Sequence, residues 1–152
     1  MCSAKNIRDE VIRGWSCSTC GALITTVEDG WVEWLAVEEA QGTTALTGLR
    51  LVHGLAAFPG AAGGHGCRYD FRLEFRKNRS IVEGLPLERF VGPNGLMLLL
   101  AFIAADELPR PDVIELAKRV QIPGYEQTRQ LLGTNASGIV SPQLEMEKAF
   151  VR

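Results

Sequence analysis

The chain has 152 residues, a hydrophobic fraction of 46%, a charged fraction of 22% and a formal charge of −2. This composition is typical of a globular domain, and the length allows a hydrophobic core that needs no disulfides. The net charge argues against a general nucleic-acid coat protein, but it is compatible with a local basic face. Residues 1–12 are polar and charged, unlike a secretory signal, so we expect a cytoplasmic protein.

The most apolar run, Gly95–Ala105, is much shorter than the ~20 residues that a membrane-spanning helix needs. It predicts a buried helix, and we expect no membrane partner.

The cysteines point to a metal. Cys17 and Cys20 form a CxxC pair followed by Gly21. Two cysteines at this spacing can hold one tetrahedral ion from a tight turn, and the glycine relaxes that turn. Without an export signal, the pattern favours metal ligation in a reducing compartment over disulfides. We therefore predict a structural Zn²⁺ site built on this knuckle.

The first half of the chain has the pattern of a β-sheet. Ala22–Glu28 and Trp31–Val37 are rich in β-branched and aromatic residues, and Asp29-Gly30 between them predicts a hairpin turn. Leu46–His53 is predicted as the third strand, and a loop rich in glycine and alanine follows at residues 54–66.

A fourth strand is predicted at Arg68–Arg76, because apolar and charged residues alternate there with a period of two. A turn and a short strand at Ile81–Glu83 follow. The alternating apolar side chains are Tyr69, Phe71, Leu73 and Phe75.

The second half has helical periodicity. Helices are predicted at Leu96–Ala105, Asp112–Gln121 and Tyr125–Leu132, with Pro123-Gly124 as the break between the last two. The chain is thus expected to be an α+β protein, in which an antiparallel sheet on a zinc knuckle precedes three or four helices. Residues 1–85 form the sheet region and residues 86–152 the helical region of one compact unit, with a frayed or mobile tail at 134–152.

Cys67 is the natural third ligand, because it lies where the long loop enters the fourth predicted strand. The fourth ligand is either His53 or His65. In extended backbone, residues 65 and 67 lie roughly 6.5–7 Å apart, which is wide for two ligands of one ion. We favour His53. In a simple meander, however, the end of its strand lies far from the knuckle, so a His53 site requires a crossover or a mixed strand order; a His65 site does not.

Residues 15–76 resemble zinc-ribbon modules, because the CSTCG knuckle runs straight into a predicted β-hairpin and further candidate ligands return later in the chain. The resemblance implies a structural zinc in a small β-rich module.

A catalytic role is not expected. The CxxC pair precedes both histidines, and neither His53 nor His65 begins the H-x-E motif of zinc deaminases. We predict a non-catalytic binding or regulatory module that works through an unidentified protein partner. Trp31 and Trp34 are candidate partner contacts; their odd spacing places them on opposite faces of a strand, one in the core and one at a surface.

The alternative is a nucleic-acid-binding regulator. It would use either the helix–break–helix at residues 112–132 or the basic strand at residues 68–79. On the basic strand, Asp70 and Glu74 lie between the arginines, so ion pairing is the simpler interpretation of that pattern.

Overall fold

The computed structural model of the chain describes residues 14–55 and 65–132. Its antiparallel strands and four helices confirm the predicted α+β class. In chain order the elements are β1 (Trp15–Ser16), β2 (Leu23–Ile24), β3 (Gly30–Glu38), β4 (Thr44–His53), α1 (Phe71–Asn78), β5 (Ile81–Pro86), α2 (Gly92–Ala105), α3 (Arg110–Gln121) and α4 (Tyr125–Leu131).

The main sheet has three antiparallel strands in the order β4-β3-β5. At the start of β3, Gly30 pairs with His53 of β4, and Trp31 pairs with Pro86 of β5. β1 and β2 form a separate two-stranded ribbon in which Trp15 pairs with Ile24. The ribbon is attached to the end of β4, because the amide of Ser18 donates to the carbonyl of Leu51 at 2.9 Å.

The sheet is covered on both faces. On one face, the ring of Trp34 packs edge-on against Phe102 of α2, with 5.5 Å between the ring centroids. On the other, the guanidinium of Arg68 lies 4.3 Å above the ring of Trp31. The two tryptophans therefore face opposite sides, as their spacing predicts. The core on the helical face includes Val32, Leu51, Leu87, Phe90, Leu99, Val113 and Leu116.

The predicted hairpin at Asp29-Gly30 is wrong. β2 has only two residues, Val27–Asp29 forms a 3₁₀ turn, and Gly30 is the first residue of β3. A Cβ atom at Gly30 would overlap the side chain of Leu87. This glycine therefore permits close packing and does not form a turn.

The predicted strand at Arg68–Arg76 is also wrong, because Phe71–Asn78 forms helix α1. The carboxylate of Asp70 caps this helix by accepting from the amides of Arg72 at 3.0 Å and Leu73 at 3.1 Å. The edge position beside β3 is occupied instead by β5, which contains the short strand predicted at Ile81–Glu83.

The three C-terminal helices match their predicted positions, and α2 packs against α3. Pro111 lies in the first turn of α3, where its missing N–H costs nothing.

Most of the predicted loop at 54–66, the tail at 134–152 and Cys2 lie outside the described residues. Within the described part, no helix combines the length and apolar character needed to cross a bilayer.

Candidate metal centre

The knuckle is a tight turn between β1 and β2. The amide of Gly21 donates to the carbonyl of Cys17 at 3.0 Å, and the amide of Cys17 donates to the carbonyl of Ala22 at 2.9 Å. Gly21 has a φ of +75°, in the left-handed region that other residues adopt only with strain. The glycine after the CxxC is therefore required by the backbone.

Hydrogen bonds fix the knuckle to the segment that contains Cys67. The hydroxyl of Thr19 donates to the carbonyl of Cys67 at 2.6 Å. Nη2 of Arg50, on β4, donates to the same carbonyl at 3.3 Å. The third cysteine is thus held beside the first two by both the knuckle and the sheet.

Four potential ligands converge. Their ligand atoms all lie within 4.8 Å of one another, and they belong to Cys17, Cys20, His53 and Cys67. Sγ of Cys20 is 3.4 Å from Nδ1 of His53. A tetrahedral zinc with bonds of about 2.3 Å to sulfur and about 2.0 Å to nitrogen separates two such atoms by ~3.5 Å. The Cys20–His53 distance thus matches tetrahedral zinc spacing, and the remaining ligand atoms lie within 4.8 Å of one another.

The imidazole of His53 is oriented by its second nitrogen. Nε2 lies 3.2 Å from the carbonyl oxygen of Leu23. Because a carbonyl only accepts, Nε2 carries the proton, and Nδ1 presents its lone pair toward Cys20. A backbone acceptor behind a histidine ligand is the usual support for such a ligand.

A His53 site was expected to require a crossover or a mixed strand order; the link between β3 and β4 does not cross over, but the order β4-β3-β5 is mixed. β3 and β4 form a simple antiparallel pair, which places His53 beside Gly30 at the start of β3. The knuckle reaches this point because β1 and β2 leave the main sheet as a separate ribbon. His65 lies outside the four-residue group: its Nδ1 is 3.1 Å from the carbonyl of Arg68, and its Nε2 is 3.8 Å from the carboxylate of Asp70.

Three of the four residues are buried, and Cys20 is exposed. Burial raises the pKa of the Cys17 thiol, but hydrogen bonds from the backbone amides of Cys20, Thr19 and His53 outweigh it and lower the pKa to about 6. Burial, a hydrogen bond with Cys20 and the charge of Cys17 raise the pKa of Cys67 to about 12. One thiolate thus forms readily, and a cation would favour deprotonation of the others.

The two tryptophans that were predicted as partner contacts lie in different environments. Trp34 is 6% exposed and lies in the core, whereas Trp31 is half-buried beneath Arg68. In the helix–break–helix, Arg129 of α4 is 3.3 Å from Glu115 and 3.7 Å from Glu126. The main cation of α4 is thus neutralised within the protein.

A buried ion pair supports the knuckle from the helical side, and the sequence pattern did not indicate it. Arg119 of α3 and Glu126 of α4 are 2.8 Å apart, with side chains 7% and 3% exposed. Glu126 accepts from the amide of Ser16 at 2.9 Å, and Arg119 donates to the carbonyl of Ser16 at 2.9 Å. The residue before Cys17 is therefore held on both of its backbone polar groups.

Comparison with known proteins does not place the chain in a family. No family model matches the sequence, and no significant match is found among curated proteins or solved structures. The zinc-ribbon resemblance of residues 15–76 stays a prediction.

Proposed function

We propose that the protein is a small, non-catalytic Zn²⁺-binding protein that acts as a protein-interaction module. The convergence of four nitrogen and sulfur donors within 4.8 Å is the main support. Three thiolates and one imidazole complete a tetrahedral zinc shell and leave no open position for substrate, as in structural sites. Soft thiolate ligands also favour zinc over magnesium or calcium. The proposed ligands are Cys17, Cys20, His53 and Cys67.

The two histidines provide a matched test of the ligand set. We expect one zinc per chain in the wild-type protein and in His65→Asn. In His53→Asn, zinc affinity should fall by more than the ~10–100-fold typical of lost supporting groups, because a direct ligand is removed. Competition with a chelating dye and elemental mass spectrometry measure both quantities. A zinc content near zero in the wild type, or a loss in His65→Asn alone, would contradict the proposal.

The interaction surface that we propose is the outer face of α2. Helix Gly92–Ala105 has no charged residue, yet Leu96, Met97 and Leu100 are 43%, 67% and 49% exposed. Ala101 and Ala104 are exposed beside them. An apolar stripe along a whole helix is typical of a surface that packs against another protein.

We propose a second copy of the chain as the occupant of this face. With no charge along α2, two copies can meet without like-charge repulsion. Leu96 and Leu100, four residues apart, form a ridge beside the small residues Ala101 and Ala104, which suits ridges-into-grooves packing of identical helices. A face about 21 Å long and one helix wide buries less than the ~800 Å² per partner of a stable dimer. The dimer should therefore be weak and concentration-dependent.

Sedimentation velocity over a range of concentrations tests this interface. Leu100→Glu is expected to weaken self-association at least about tenfold, because it places an unpaired charge in an apolar contact. Leu131→Glu is the matched control, since Leu131 is 87% exposed on α4, away from the stripe. A wild-type protein that remains monomeric at the highest concentration, or an equal effect of both variants, would rule out the interface.

A further inference from the structure

Helix α1 exposes large apolar side chains on the opposite face of the sheet from α2. None of its residues is buried, and Phe71, Leu73 and Phe75 are 61%, 43% and 46% exposed. Phe71 and Phe75 are four residues apart and share one side of the helix, whereas Leu73 points to the other side. The exposed feature is thus a pair of aromatic rings, and not a continuous apolar stripe.

The same helix is locally basic in a chain with a net charge of −2. Between Asp70 and Arg79 there are four cations and two carboxylates, and Asp70 is engaged as the helix cap. Across the described residues, none of these four cations has an ion-pair partner within 4 Å, whereas Arg50, Arg119 and Arg129 are all paired. The cations are Arg72, Arg76, Lys77 and Arg79.

Guanidinium groups and rings alternate along this face. The guanidinium carbon of Arg72 lies 5.7 Å from the ring centroid of Phe71, and that of Arg79 lies 5.1 Å from the ring centroid of Phe75. Arg76 follows Arg72 on the same side, four residues later. Rings that can stack on bases, spaced among cations that can bind phosphates, are the combination used to bind unpaired nucleic acid.

A cavity of about 290 Å³ opens at the Phe71 end of α1. Within residues 14–55 and 65–132, the buried Nε of Arg68 has no hydrogen-bond partner, and it lies 3.8 Å from the carboxylate of Glu33. Aromatic, cationic and aliphatic side chains around such a cavity suit a flat heterocycle that carries polar edges. Among the described residues its lining consists of Leu55, His65, Arg68, Tyr69, Phe71 and Val82.

We propose that the exposed face of α1 binds single-stranded nucleic acid. This activity is separate from the proposed zinc site and from the proposed α2 interface. Phe71 and Phe75 stack on successive bases, Arg72 and Arg76 contact phosphates, and the cavity receives a base at one end. A duplex does not fit this chemistry, because its bases are stacked and not available to the rings. A membrane surface fits less well, because Leu73 faces away from the two phenylalanines and no single apolar face can insert.

Fluorescence anisotropy of a labelled oligo(dT) of about 15 nucleotides, with the zinc-loaded full chain at low salt, tests the proposal. Phe71→Ala and Phe75→Ala are each expected to raise the Kd by about tenfold. Arg72→Ala and Arg76→Ala should each reduce the slope of log affinity against log salt by about 0.7. Because α1 buries no residue, these variants should keep the wild-type circular dichroism and zinc content.

Controls elsewhere on the surface are Arg110→Ala, which removes an exposed cation paired with Asp106, and Leu131→Ala, which removes an exposed apolar side chain. Both should bind as the wild type does. The proposal is overturned if the oligonucleotide does not bind, if the controls lose as much affinity as the α1 variants, or if a duplex of the same length binds more tightly. It is also overturned if anionic vesicles, and not the oligonucleotide, require Phe71 and Phe75. None of these results depends on zinc stoichiometry or self-association.

Discussion

Removing the metal is expected to lower the melting temperature by at least about 10–20 °C and to unfold the ribbon that carries the knuckle. The apparent free energy of structural zinc sites, ~10–16 kcal/mol, is as large as the whole stability of a typical domain, ~5–15 kcal/mol. Even a coupling of about 5 kcal/mol produces this shift in a chain of this size. Without a cation, Cys17, His53 and Cys67 stay buried with no metal to neutralise them, and the thiolates of the cluster repel one another as they form. Calorimetry and circular dichroism before and after treatment with a strong chelator measure the effect.

The cysteines provide matched variants for this experiment. Cys17→Ser should reproduce the effect of the chelator, because it removes a ligand that is 3% exposed. Cys2→Ser, the same substitution outside the described residues, should leave the melting temperature unchanged. Zinc release and loss of ribbon structure should also coincide as the pH falls, because protons compete with the metal for thiolates. A protein that loses its zinc and keeps its melting temperature would contradict a structural role.

The four candidate ligands could be named from the sequence because their chemistry is specific. A CxxC pair followed by glycine has few interpretations, and His53 and Cys67 were among few remaining donors in the chain. Their convergence within 4.8 Å depends on the ribbon leaving the main sheet, and nothing in the local pattern indicates that departure. Gly30 was misleading for a related reason. A glycine is required there because the side chain of Leu87, far along the chain, packs against its backbone, and not because the chain turns.

The alternation of apolar and charged residues at 69–75 led to a wrong strand prediction, because neither set of side chains is buried in α1. A period of two indicates a strand only when one face must be covered, and no residue of this helix is buried. The cap at Asp70 was the available local signal for a helix. The burial of Glu33 on β3 could not be predicted from local sequence. Its carboxylate is fully buried, and Arg50 of β4 donates to it at 2.8 Å.

Breaking the Arg119–Glu126 pair is expected to have the second largest effect. Glu126→Gln should lower the free energy of unfolding by about 3–5 kcal/mol at neutral pH, because it leaves the buried charge of Arg119 without its partner. Glu115→Gln is the control. Glu115 is 38% exposed in its pair with Arg129, so that change should cost less than ~1 kcal/mol. Urea unfolding of the zinc-loaded proteins measures both values.

The pH dependence of unfolding tests whether the charge of Glu126 causes the stability difference between the wild type and Glu126→Gln. Burial raises the pKa of Glu126, but the hydrogen bond and charge of Arg119, with the amide of Ser16, outweigh it and lower the pKa. A carboxyl whose pKa is lower in the folded state contributes stability above its unfolded pKa, ~4.3, and loses it as the pH falls through the folded value. The difference between wild type and Glu126→Gln should therefore be constant near neutral pH and shrink below about pH 4.

A double variant separates the pair itself from its contact with the knuckle. Replacing a buried ion pair by apolar residues is often neutral, so Arg119→Met/Glu126→Leu should be more stable than Glu126→Gln alone. It should not regain wild-type stability, because the amide and carbonyl of Ser16 both lose their partners. Since Ser16 precedes Cys17, zinc affinity should fall in the double variant and remain unchanged in Glu115→Gln. Wild-type zinc affinity in the double variant would show that the helices support the fold without positioning the metal ligands.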